Sequence, residues 1–139
     1  MSNGTAGKVS KLYQIQDELV LRAEKLVAAR AQAIDVGKTQ MSRAVATASA
    51  PGVTPRVFIN WLRCQAARER DRSQFWTLQS DSRKSLAEEV ADQIDWIVQQ
   101  PDLPNKTEAI TRFLGYMRRA LVGAEWLDVI RLTGDGGTR

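Results

Sequence analysis

Residues 105–127, NKTEAITRFLGYMRRALVGAEWL, decide the fold class. Ile110, Phe113, Leu114, Met117 and Leu121 recur at three- and four-residue spacing. At 3.6 residues per turn they share one side of a helix and form an apolar stripe. Asn105 followed by Glu108 resembles a capping box, and Pro101 and Pro104 close whatever helix comes before. Arg112, Arg118 and Arg119 lie between the apolar positions, which gives this helix a wet, basic outer side. The helix is expected to continue, or to bend at Gly123, through Trp126, Leu127 and Ile130; Gly134, Gly136 and Gly137 then end the order.

The same period organises the chain upstream. Leu86, Val90, Ile94, Ile97 and Val98 form the stripe of a helix that Asp81 or Ser82 can cap and that reaches residue 100. Pro51-Gly52 marks a loop over 49–53, and Thr54-Pro55 supplies an N-cap and a favoured first residue for a helix reaching residue 72. Its Phe58, Trp61, Leu62, Cys64 and Ala66 spread over a face wide enough to be covered twice, by the core and by a partner. Residues 38–48 read as a short helix with Met41 and Val45 inward, after Asp35 and Gly37 break the pattern. The first helix spans 10–34, with Leu12, Ile15, Leu19, Ala23, Leu26 and Ala33 on its stripe and Glu24, Lys25 and Arg30 off it. No alternating apolar/polar run is bounded by turn residues, so no strand is expected. The fold class is therefore all-α: a single-domain bundle of about five helices over residues 10–133, with flexible tails at 1–9 and 134–139.

Composition narrows the function. A chain of 139 residues that is 43% hydrophobic and 26% charged has enough apolar surface for one core. Histidine is absent and Cys64 is the single cysteine. That removes imidazole acid–base catalysis, Ser-His-Asp and Cys-His nucleophile systems, and nearly every zinc site. No GxxxxGK[ST] loop, GxGxxG turn or spaced calcium-binding acids occur, so no catalytic residue, cofactor or metal is expected. No run approaches the roughly 18 apolar residues of a membrane span, and no signal-like segment is present, so a cytoplasmic protein is expected. Cys64 reads as a small buried apolar residue.

The net charge of +4 is unevenly placed. Arg56, Arg63 and Arg70 repeat every seven residues, which drifts only about 20° per step and makes one ridge of guanidinium groups. Such groups stay charged and donate to two phosphate oxygens at once. Arg112 and Arg119 repeat the spacing on the last helix, and the two sets are expected to share one open positive surface. Glu88, Glu89, Asp92 and Asp95 give the fourth helix an acidic outer face. The blander reading of an arginine-rich helix is a solvated surface laced with i,i+4 pairs. Trp61, Trp76, Trp96 and Trp126 suit core or subunit interface better than base stacking. Ala33 and Gly37 have the spacing of a helix-turn-helix, but the buried aliphatic that motif needs falls on Arg43. A DNA regulator or phage packaging subunit, and a pure protein–protein adaptor, stay as alternatives.

Three blocks carry a likeness to a known family: LVLRAEKLV at 19–27 with Lys38-Thr39-Gln40-Met41-Ser42-Arg43 after it, INWLRCQAARERD at 59–71, and ITRFLGYMRRALVGAEWL at 110–127. In this order they resemble the small subunit of type III-A CRISPR effector complexes; the last helix is also similar to that of the type III-B small subunit. The resemblance implies a helical bundle stacked in several copies of itself inside a guide-RNA ribonucleoprotein. Its basic faces would hold target RNA by backbone contacts, with cleavage left to other subunits and sequence read by guide pairing. By position, Lys38 and Arg43 match the basic start of the family's second helix, and Arg63 and Arg70 its arginine-bearing helix. Arg56, Arg112 and Arg119 join the RNA-binding set on ridge geometry.

Overall fold

The computed structural model describes residues 3–30, 34–69 and 74–126. Among them are five helices: α1 (Asn3–Ala28), α2 (Ile34–Ser49), α3 (Pro55–Ala67), α4 (Leu86–Val98) and α5 (Lys106–Trp126). The only β pairing among the described residues is an isolated bridge between Gln79 and Ser85. The fold is the all-α bundle that the periodicity predicts. α5 is its axis and lies along both α1 and α2, with α3 and α4 completing the bundle. Its five stripe residues Ile110, Phe113, Leu114, Met117 and Leu121 are all at most 1% exposed. Burying each such side chain contributes roughly 1.5–3 kcal/mol. α2 runs antiparallel to α5, since Gly37 meets Leu121 at one end and Ser42 meets Arg118 further along.

Several boundaries differ from those the sequence suggests, and at the ends of α1 and α3 and the start of α4 a side chain satisfies nearby backbone groups. α1 begins at Asn3, inside the expected tail, and stops at Ala28 rather than at residue 34, with Arg30 in the turn that follows. Arg30, expected on the wet side, is 1% exposed. Its guanidinium donates to the carbonyls of Leu26, Leu78 and Lys84 at 3.3, 3.1 and 3.0 Å and pairs with Glu89 at 2.8 Å. α3 ends at Ala67, five residues short of expectation. Beyond it the Glu69 carboxylate accepts the N–H groups of Gln74, Phe75, Trp76 and Thr77 at 3.0–3.2 Å, together with the Thr77 hydroxyl at 2.9 Å.

α4 starts at Leu86, capped by Ser85 rather than by Asp81 or Ser82. Ser85 Oγ accepts the Glu88 N–H at 3.1 Å and the Glu88 carboxylate accepts the Ser85 N–H at 2.8 Å, a complete capping box. The preceding segment folds back on itself, because Leu86 and Ala87 donate to the Leu78 and Trp76 carbonyls at 2.8 Å. Ser82 instead donates to Glu89. At Asn105 only half of the expected box forms: its side chain accepts the Glu108 N–H at 2.9 Å, while Glu108 pairs with Arg112 at 3.0 Å. α5 runs without interruption past Gly123. Gly37, expected to break a helix, lies inside α2; a Cβ there would stand 2.7 Å from the Phe75 ring. Cys64 is exposed, not buried, and Val98 is 39% exposed. Ala33, Leu127, Ile130, the 134–139 tail and the Trp126 side chain lie outside the described residues.

Candidate nucleic-acid interface

The expected RNA-binding cations that the structure describes are divided between α3 and the α2/α5 pair. Arg56 and Arg63 stand on α3 above a groove shared with α4. Arg43 is exposed on α2, and Arg112, Arg118 and Arg119 are exposed on α5. Lys38 is half-buried on α2 and has an interaction within the protein. Arg70 lies outside the described residues. The helix that was to carry it ends at Ala67, so the α3 ridge has two described arginines.

The α2/α5 pair is the more uniformly positive of the two. Its described side chains include Lys38, Arg43, Lys106, Arg112, Arg118 and Arg119, with Glu108 as the one acid. Arg118 Nε donates to Ser42 Oγ at 2.7 Å across the seam between the helices, which holds the guanidinium at the surface in a fixed place. Arg118 is thus a residue that ridge spacing alone passes over; the hydroxyl-bearing KTQMSR segment was the signal. Arg119 lies near the Tyr116 ring, 6.0 Å from its centroid. The Glu108 carboxylate holds the Arg112 guanidinium above its usual range, with a smaller contribution from Tyr116. Lys106 turns away to donate to the Gln100 carbonyl at the end of α4.

The α3 groove is electrically mixed. Its α4 wall carries Glu88, Asp92 and Asp95, and the apolar Ile59 and Ala66 of α3 and Ala91 of α4 line it as well. Two adjoining hollows, of about 550 and 940 Å³, make it up. The expected acidic face of α4 is therefore a groove wall, except that Glu89 turns the other way to Arg30 and to the Ser80 and Ser82 hydroxyls.

None of the described tryptophan side chains is free for base stacking. Trp76 is fully buried, with Nε1 donating to Gln40 Oε1 at 3.2 Å. Trp61 packs between Phe58 and Trp76, at ring distances of 5.4 and 6.3 Å. Trp96 lies under the Arg22 guanidinium, 3.8 Å from the ring centroid, and Arg22 also donates to Gln93 at 2.8 Å. Among the described residues no group of three or more His, Cys, Asp or Glu could hold a metal ion, and no helix is long and apolar enough to cross a membrane. Comparison of the chain with protein-family models, with curated proteins and with solved structures gave no match.

Proposed function

We propose that the protein is a non-catalytic RNA-binding subunit of a guide-RNA ribonucleoprotein of the type III CRISPR kind, acting in antiviral defence in the cytoplasm. It would hold target RNA through sequence-independent phosphate contacts. The observation that carries this reading is the charge on the α2/α5 pair, where Arg43, Arg112, Arg118 and Arg119 are exposed and Glu108 is the one acid among the described side chains. A phosphate backbone is attracted by such a face, and the acids of α4 repel it from the α4 side. Arg118, fixed by Ser42, with Arg119, Arg112 and Arg43 around it, is the set best arranged for the task. The likeness of KTQMSR and ITRFLGYMRRA to the small subunit of such complexes supports the same two helices.

The test is fluorescence anisotropy with a labelled single-stranded RNA of mixed sequence at two salt concentrations. Arg118→Ala/Arg119→Ala is expected to weaken binding and to flatten its dependence on salt by roughly 0.7 in log–log slope per lost phosphate contact. Scrambling the RNA sequence should leave affinity unchanged. Unaltered affinity and slope in the double variant would remove the α2/α5 face from the reading. A footprint on one duplex DNA sequence would replace it with a DNA regulator.

A further inference from the structure

The groove between α3 and α4 carries a charge pattern that the proposed RNA face does not use. α3 has Arg56 and Arg63 and no acid; α4 has four acids and no base. The two helices are antiparallel, since the start of α3 shares one hollow with the end of α4, and the end of α3 shares the other with the start of α4. Arg56 therefore sits at the level of Asp95, and Arg63 between Asp95 and Asp92. Yet neither arginine closes on an acid: no ion pair of Arg56 or Arg63 is formed among the described residues. Among the described residues the Asp95 carboxylate accepts only from Gln99, and Asp92 pairs with Lys84 at the surface. Between the walls Ile59 is only partly buried and Val98 is 39% exposed, so apolar surface lies open along the groove.

We infer that this groove is a two-fold contact between copies of the chain, formed about an axis running along it. Rotation about that axis lays α3 of each copy against α4 of the other, with helix level preserved. Arg56 then faces the neighbour's Asp95 and Arg63 faces its Asp92, twice over, while the apolar strips meet in the middle. The other in-plane two-fold, perpendicular to the helices, sets α3 on α3 and α4 on α4, where like charges repel. Of the two isologous arrangements, the electrostatics admit one. The α3 arginines are thereby assigned to a neighbour's carboxylates and not to RNA. The contact does not depend on the RNA reading.

Charge exchange tests it on the full chain. The pairs Arg56→Glu/Arg63→Glu and Asp92→Lys/Asp95→Lys are made separately, and circular dichroism checks that each folds. Light scattering coupled to size exclusion should find wild-type dimers in the range up to about 100 µM and each variant shifted to monomer, by at least about tenfold in dissociation constant. Mixing the two variants should restore association one-to-one, because a predominantly acidic surface then meets a predominantly basic one. A monomeric wild type, variants that still dimerise, or a mixture that fails to pair would each overturn the inference. RNA affinity of Arg118→Ala/Arg119→Ala is read in parallel, so loss of the contact and loss of the RNA reading are separate results.

Discussion

Glu69 combines burial with charge, two conditions that oppose each other in a carboxylate. Removal from water pushes its pKa up, but the backbone N–H groups of Phe75, Trp76 and Thr77 and the Thr77 hydroxyl outweigh that and hold it below its ordinary value near 4.5. A group whose folded pKa is depressed stabilises the fold above its unfolded pKa and loses that contribution as pH falls through the folded value. Glu69→Gln is therefore expected to cost about 2 kcal/mol in denaturant titration near neutral pH, since an amide nitrogen would oppose donors it cannot accept from. The deficit should shrink as pH is taken below about 4.5. An equal deficit at pH 7 and in acid would contradict this account. Sequence alone presents Glu69 as a surface acid among arginines, because the donors that gather around it are main-chain groups five to eight residues away.

At the scale of the helix, Gly37 shows how a residue that reads as punctuation can serve packing. Its missing side chain lets α2 approach Phe75 and Leu121, and an added methyl would meet the ring at 2.7 Å and the leucine at 3.1 Å. Helix propensity favours Gly37→Ala by roughly 1 kcal/mol, whereas forcing an atom into a packed core costs about 1–3 kcal/mol. Steric crowding should win, and Gly37→Ala should lower the melting temperature; a rise would mean that Phe75 yields freely. The elements themselves were legible wherever an apolar stripe was long: α5, α4 and the middle of α1 and α2 lie where periodicity puts them. Their ends were not, because helix termini depend on which groups donate to the last carbonyls and which accept from the first N–H groups. Ser85 could be read as a cap from Glu88 three residues on, but Asp81 and Ser82 offered equally plausible side chains. For the candidate site, the arginine spacing on α3 and α5 was legible, while the pairing of α3 with the acidic α4 along the groove was a matter of tertiary placement. Arg30 was misplaced for the same reason, since no periodic pattern marks a cation that folds inward to reach carbonyls about 50 residues away.

For the whole molecule, every other helix touches α5, so no helix pair can leave without stripping part of the same core. Far-ultraviolet dichroism and tryptophan fluorescence should therefore report one coincident unfolding transition, with fully buried Trp76 and half-buried Trp61 and Trp96 as probes. Separated midpoints would mean that α3 and α4 unfold apart from the α1, α2 and α5 set. The charge layout at this scale gives two faces with different work: an α2/α5 side proposed for phosphates and an α3/α4 side proposed for a second copy. The Arg30 cluster sets the manner in which the protein opens. The guanidinium fastens the end of α1, the strandless segment before α4 and α4 itself, so lifting that segment strands a charge in apolar surroundings. Breathing of the 78–86 region is thereby joined to global unfolding, and the amides of Leu86 and Ala87 belong with the slowest-exchanging protons of the domain although they sit beside a surface turn.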